Sequence, residues 1–440
     1  MEQPSSLSPL RVGLAGLGTV GTGVIRLLEQ NGKLVEQRAG RAIRITAVCA
    51  RERHRDRGGD LGGYAWCDDM AELAAHDDVD VVVELVGGSD GPALTLARQT
   101  LAAGRGLVTA NKAMVAHHGM ELAQMAEAHG CGLRFEAAVA GGIPVVKGLR
   151  EGAAANVIER VYGILNGTCN YILTAMEASG ADFGESLADA QARGFAEADP
   201  AFDIDGVDAA HKLAILAALA FGTEIDFDSV EVEGIRQVRA VDIAQADALG
   251  YVIRLIGVAD MEHAPAETRL LQRVRPCLVA KDHPLAPIAG PTNAVVAEGN
   301  FAGRLLFQGA GAGDGPTASA VVADLIDLAR GESGAPFSVP VASLVAAAKA
   351  DSGARESRSY IRFMVADRPG VLAEIAAAMR DAGVSIQSLI QEGEANGDGG
   401  VLVAMVTHTG PVRNVRQAVA MLEGSDSLVA EPLVMPILRN

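Results

Sequence analysis

Residues 10–30 read LRVGLAGLGTVGTGVIRLLEQ, and this stretch decides the fold of the first domain. Leu10 to Ala15 is a short, mostly apolar run, the pattern of a buried strand. Gly16-Leu17-Gly18-Thr19-Val20-Gly21 follows, and then Val24, Leu27 and Leu28 recur at helical spacing. Strand, G-x-G-x-x-G and helix in that order suit a dinucleotide. The glycines let the backbone turn tightly and approach a pyrophosphate, which rests on the helix N-terminus. The plain alternative is an ordinary strand–helix turn, and a bare glycine motif would not exclude it.

Working outward, strands are expected at Ile43–Cys49, Val79–Val86, Gly106–Thr109 and Leu133–Val139, and helices at Ala93–Ala103 and Ala116–His129. Apolar runs of this length alternating with helical patterns predict a parallel sheet covered on both faces, a Rossmann-type α/β domain over residues 1–145. The second strand ends in Ala50-Arg51-Glu52-Arg53. An NAD-preferring domain usually places an acid here, on the ribose 2′-hydroxyl. Arg51 and Arg53 suit a 2′-phosphate instead and favour NADP, whereas Glu52 leaves NAD open.

At 440 residues the chain is too long for one core, and about three domains are expected. Its net charge of −18 argues against nucleic acid or an anionic membrane as partner. Cys49, Cys67, Cys131, Cys169 and Cys277 show neither a C-x-x-C pair nor zinc spacing, which suits a reducing compartment. The start, MEQPSSLSP, lacks the pattern of a secretory signal, and no apolar run reaches the ~20 residues of a membrane helix. A cytoplasmic location is therefore expected.

Residues 146–345 form an α+β catalytic and dimerisation domain in this reading. A strand is expected at Val157–Leu165 and helices at Asn170–Ser179 and 206–221, the last stopped by Gly222. Ala246–Gly257 alternates less clearly. Gln308 to Gly313, rich in glycine, precedes the helix pattern PTASAVVADLIDLARG, and near 310–330 the chain returns to the nucleotide domain. Val345–Ser359 has no sustained apolar period and reads as a linker. Residues 358–440 then give β-α-β-β-α-β, a ferredoxin-like unit. Its strands fall near 360–365, 384–391, 400–407 and 427–437. One helix runs to about Asp381 and another opens at Pro411.

The densest chemistry lies at 194–222, GFAEADPAFDIDGVDAAHKLAILAALAFG. Asp205 can cap the helix, Asp208 lies near a capping box, and Lys212 sits four residues after Asp208 on the same face. A capped helix with an exposed ion pair needs no function and contributes only a few tenths of a kcal/mol. Glu197, Asp199 and Asp203, however, are more acid than a cap requires. Carboxylates beside one lysine suit a substrate bearing an ammonium group and a proton donor for a carbonyl oxygen.

Across its length the chain resembles the homoserine dehydrogenase family, the bacterial type with a C-terminal ACT domain. The resemblance rests on GLGTVG, TANK (Thr109–Lys112), AGGIP (Ala140–Pro144), GILNGTCNYIL (Gly163–Leu173), GFAEADP with the following Asp and His-Lys positions, GAGAG with PTASAVVAD, and DRPGVLA. It implies NAD(P)H-dependent reduction of L-aspartate 4-semialdehyde to L-homoserine. By motif position it implies proton transfer by Lys212, support by Asp208, and the substrate ammonium on Glu197, with Asp203 and Thr168 nearby. Lys112 would lie between nicotinamide and substrate. Gly88, Ser89, Gly309 and Gly311 would join the fingerprint residues around the cofactor. A monovalent cation, Na⁺ or K⁺, would be held mainly by backbone carbonyls at Glu136, Val139, Gly141 and Ile143. In the ACT unit, Asp367, Gly370, Val371 and Leu372 would form an effector turn, with threonine the simplest ligand. A homodimer or homotetramer is expected.

Three rival readings remain at this stage. Cys169 could be a thiolate nucleophile of an acylating semialdehyde dehydrogenase. His211 could be the acid–base group. The chain could also be an amino-acid sensor whose nucleotide domain only binds.

Overall fold

The computed structural model describes residues 7–58, 60–263, 268–392 and 400–439. The first domain is a parallel sheet in the spatial order Ala65–Cys67, Ile43–Cys49, Leu10–Ala15, Val81–Glu84, Gly106–Thr109, Leu133–Arg134. In chain order that is 3-2-1-4-5-6, the doubly wound arrangement with its switch point beside the first strand. The last strand is shorter than its apolar run suggests. After Arg134 the chain turns into a 3₁₀ helix at Glu136–Ala138, where Glu136 N donates to Asp324 Oδ2 at 2.9 Å and leaves the sheet.

The fingerprint glycines have separate jobs. Gly16 has φ of 99°, and a Cβ on Gly21 would lie 2.1 Å from the Gly16 carbonyl oxygen. A Cβ on Gly18 would meet nothing within 4 Å, so this backbone is open to a ligand. Gly23 admits the helix Asp314–Ala329, which packs against helix Thr19–Ala39 and sends Val321 and Leu325 into the core under Leu10 and Val12.

A second sheet follows the order Gly303–Ala310, Thr292–Gly299, Ile158–Ile164, Tyr251–His263, Thr268–Ala280, Ala348–Lys349. The weakly alternating stretch near 246–257 resolves into the end of helix Ala240–Ala248 and the start of a 13-residue strand. Helix Val207–Phe221 is buried almost all round, which explains its nearly continuous apolar sequence.

The last unit is a four-stranded antiparallel sheet, in the order Ile386–Glu392, Gly400–Thr407, Ser359–Ala366, Leu433–Pro436, under helices Val371–Asp381 and Val412–Ala420. The closing strand is shorter than the expected 427–437. Val345–Ser359 is not a free linker, and this corrects the expectation from composition. Ala348–Lys349 pairs with Arg269–Leu270, Glu356–Ser357 pairs with Gly410–Pro411, and Arg355 ion-pairs with Asp260 at 3.0 Å and Glu262 at 3.2 Å. The ACT unit is docked as well. Buried Arg362 pairs with buried Asp242 on helix 240–248, and Tyr360 donates to the same carboxylate at 3.0 Å. Among the described residues no helix is long and apolar enough to cross a membrane.

Candidate active site

The carboxylate-rich loop sorts its acids by position. Asp199 accepts from Ala201 N at 3.1 Å and starts the short helix Ala201–Ile204. Asp205 does not cap the following helix. Gly206, with φ of 87°, occupies the cap position and turns the chain, and Asp205 points outward to an ion pair with Arg236. Asp208 does not serve as a cap either. Its carboxylate takes Lys212 Nζ at 2.8 Å, Lys112 Nζ at 2.9 Å and Asn166 Nδ2 at 2.7 Å. The side chains of Asp208 and Lys212 are 4% and 10% exposed and that of Lys112 is 34%, so the pair is buried and Lys112 is the more open cation. This is not the exposed helix pair worth a few tenths of a kcal/mol.

Burial alone would raise the Asp208 pKa, but Lys212 and Lys112 overcome it and hold the carboxyl well below its usual range. Burial likewise disfavours the Lys112 ammonium, yet Asp208 first, and then Asp203 and Glu197, leave its pKa raised. Asp203 is pushed upward by burial and by Asp208. It accepts from Asn166 Nδ2 at 2.7 Å and from Thr168 Oγ1 at 3.1 Å.

Asn166 is the organiser that sequence reasoning left unnamed. Its Oδ1 accepts from Cys169 N at 2.7 Å and caps helix Gly167–Ser179, while its amide reaches both Asp203 and Asp208. An asparagine just before a helical run is a cap signal, and that signal was available. Lys212 Nζ also donates to the Leu165 carbonyl at 2.8 Å, which Asn293 Nδ2 holds from the other side at 2.9 Å. Gly311 lies so close to Asn293 that a Cβ would sit 2.3 Å from its Cγ.

These groups face a cavity of about 980 Å³ between the first two domains. Its wall includes Glu197, Asp203, Thr168, Lys112, Asp208 and Lys212, together with Val20, Gly141, Gly309 and Gly311. Val20 of the fingerprint loop and the lysine–carboxylate cluster thus open on one space. Gly16, Leu17, Gly18, Thr19 and Gly21 stand outside that wall, and so do Gly88 and Ser89, in the loop after strand 81–84. There buried Glu84 accepts from Val86 N at 2.7 Å and Gly87 N at 3.0 Å, and Asn111 Nδ2 donates to Gly88 O at 2.7 Å. Arg51 and Arg53 are exposed beyond the second strand, and the Arg53 guanidinium lies 5.7 Å from the centre of the Trp66 ring. Arg57, which sequence reasoning missed, comes nearest the fingerprint: its Nε donates to Leu17 O at 3.3 Å.

Glu136, Val139, Gly141 and Ile143 form one buried turn with left-handed backbone at Ala140 (φ 57°) and Gly141 (φ 52°). The Glu136 carboxylate accepts from Val146 N at 3.0 Å and Lys147 N at 2.8 Å, and burial and Asp324 push its pKa up to about 7.

The two rival side chains fare poorly. Cys169 is fully buried, and burial with Asp203 and Asp208 drives its thiol far from ionising. His211 stacks on Phe227 at 4.4 Å, its Nε2 lies 3.2 Å from His117 Nε2, and burial and His117 lower its pKa to about 4. At neutral pH it carries no proton to spare.

A doubly wound dinucleotide domain whose fingerprint loop, through Val20, shares a cavity with lysines on a common carboxylate defines a nicotinamide-nucleotide-dependent oxidoreductase. Comparison with known proteins narrows the class. Residues 144–326 match the homoserine dehydrogenase family, 16–136 the homoserine dehydrogenase NAD-binding domain, and 359–423 the ACT domain. The chain is 42% identical to the homoserine dehydrogenase of Pseudomonas aeruginosa over 97% of its own length and 98% of that protein's. It is 42% identical to the Neisseria gonorrhoeae enzyme over 98% of each. The crystal structure of a homoserine dehydrogenase from Thiobacillus denitrificans superposes with a TM-score of 0.90 at 39% identity, covering 98% of both chains. The chain belongs to the homoserine dehydrogenase family.

Proposed function

We propose that the chain reduces L-aspartate 4-semialdehyde to L-homoserine, with Lys212 as proton donor and NADP as the preferred nucleotide. The observation that carries this reading is Asp208, shared between Lys112 and Lys212 at the wall of the cavity that Val20 of the fingerprint loop also lines. A nicotinamide nucleotide held at the Gly16–Gly21 loop would supply the hydride for the aldehyde carbon. Lys212 Nζ gives its proton to the carbonyl oxygen as that oxygen gains charge, and Asp208 fixes the amine in place. Glu197 and Asp203 offer negative charge to the substrate ammonium, and Thr168 lies beside Asp203.

Lys112 supports a second assignment of the donor, because it pairs with the same carboxylate and is the more exposed amine. Following NADPH oxidation in Lys212→Ala and Lys112→Ala separates the two. The variant that loses about 10²- to 10⁴-fold in kcat with cofactor binding intact names the donor. Turnover at the wild-type rate in Lys212→Ala would remove it from the mechanism.

The preference for NADP rests on Arg51, Arg53 and the adjacent Arg57. For the monovalent cation, the left-handed turn at 140–141 lies beside the buried acid Glu136. A Na⁺ or K⁺ there would take the carbonyl oxygens of Glu136, Val139, Gly141 and Ile143. The ACT unit is assigned to feedback, with threonine as effector at the Asp367–Leu372 turn, where Gly370 opens helix 371–381 with φ of 95°. The working assembly is a homodimer or homotetramer.

A further inference from the structure

The face of the second sheet turned away from helix 207–221 carries another cavity, of about 280 Å³. Strands 158–164, 251–263 and 268–280 form its floor. The segment 355–358 and the C-terminal residues 436–439 close it, with Leu438 N bonded to Leu278 O at 2.8 Å. Arg160, Arg273, Arg355, Arg358 and the exposed Arg439 line it against two acids, Asp260 and Glu356. Asp260 is used twice, by Arg160 at 3.2 Å and Arg355 at 3.0 Å. Arg358 is also engaged, with Tyr251 OH at 3.0 Å and Gln387 Oε1 at 2.6 Å.

Arg273 is different. Among the described residues it has no carboxylate partner, and its Nε is buried without an acceptor. Burial disfavours its charge most, Arg275 and Arg355 add to that, and Asp260, already shared by two other arginines, offsets it only in part. A guanidinium in this position calls for an anion, since an uncompensated buried charge is costly. Glu356, on the same wall, has no cation partner among the described residues.

We propose that this cavity binds a free α-amino acid, its carboxylate on the Arg273 guanidinium and its ammonium toward Glu356. The guanidinium fork matches a carboxylate in two-point contact. A cavity of about 280 Å³ has room for a small amino acid. The site is separate from the Asp367–Leu372 turn and does not depend on the catalytic assignment. Because its wall joins the catalytic sheet to Thr409 and Pro436 of the ACT unit, a ligand here touches both.

Calorimetric titration of the full chain tests it. The probes are L-threonine, L-serine, L-valine and L-methionine, with 3-hydroxybutyrate (threonine without its amine) and inorganic phosphate alongside. At least one amino acid should bind saturably, and Arg273→Met should weaken it by tenfold or more. Glu356→Gln, an exposed change that leaves the fold alone, should weaken the amino acid while sparing 3-hydroxybutyrate. Heats unchanged by either substitution would overturn the proposal, as would the absence of binding up to millimolar concentration. Phosphate or 3-hydroxybutyrate binding as tightly as the best amino acid would overturn it too, by showing a bare anion site.

Discussion

Replacing Asp208 by asparagine keeps the shape of the side chain and removes its charge. The native carboxylate serves two ammonium groups, at 2.8 and 2.9 Å, and the Asn166 amide at 2.7 Å. An asparagine has one acceptor oxygen for all three, and its own NH₂ would face a donor. Removing one partner of a buried pair costs about 3–5 kcal/mol. Lys112, a third exposed, can turn toward water, so most of that loss belongs to Lys212. The loss should depend on pH. In the native chain the depressed Asp208 pKa contributes stability that is complete above the unfolded carboxylate value of about 4 and declines as pH falls below it. In Asp208→Asn the stranded lysine titrates below the ordinary value of about 10.4, so the unfolded chain binds more protons and stability rises with pH up to that value. Urea unfolding at pH 7 and pH 9.5, with kcat measured in parallel, is the assay. We expect a deficit of about 3–5 kcal/mol at pH 7 that narrows at pH 9.5, and a kcat lower by about 10²-fold or more. A variant as stable as wild type at pH 7 with kcat unchanged would refute the reasoning.

Glu197→Gln should raise KM for homoserine about tenfold or more while leaving KM for the nucleotide nearly unchanged, since a charged contact is worth about 1.5–3 kcal/mol; a change in melting temperature alone would make Glu197 structural. Joint replacement of Arg51 and Arg53 by alanine should weaken NADPH more than NADH in fluorescence titrations, and equal effects would mean that neither reads the 2′-phosphate. L-threonine should inhibit the full chain, and Gly370→Ala, strained at φ of 95°, should relieve inhibition without lowering basal kcat. Inhibition undiminished in Gly370→Ala would move the effector away from that turn.

What the sequence made legible was local. The strand, glycine turn and helix at 10–39 are adjacent in the chain, and so are Asp208 and Lys212, one helical turn apart. The spacing of Ile361, Phe363 and Val365 likewise marked a strand that the structure contains. The misreadings came from contacts that join distant positions. Lys112 and Asp208 share one ion pair from different domains, and nothing in either neighbourhood announces it. The stretch 345–359 looked featureless because its two-residue strands borrow their stability from Arg269–Leu270 and Gly410–Pro411. Asp205 read as a cap because aspartate favours that position, and glycine took it because the backbone there turns left-handed.

The grip of Tyr360 and Arg362 on Asp242 bears on how this chain can change. Helix 240–248 packs against helix 167–179, whose first turn carries Thr168 and begins at Asn166 in the active site. Deleting the ACT unit would strip Asp242 of its cation and uncover the side of helix 240–248 that Tyr360 and Arg362 now cover, behind the substrate-binding helix. The unit therefore behaves as a keystone and not as an accessory. An engineer or a lineage seeking an unregulated enzyme from this chain has a narrow path: substitutions that silence the effector site while leaving the Asp242 contacts standing, because wholesale truncation removes part of the support of the catalytic domain itself.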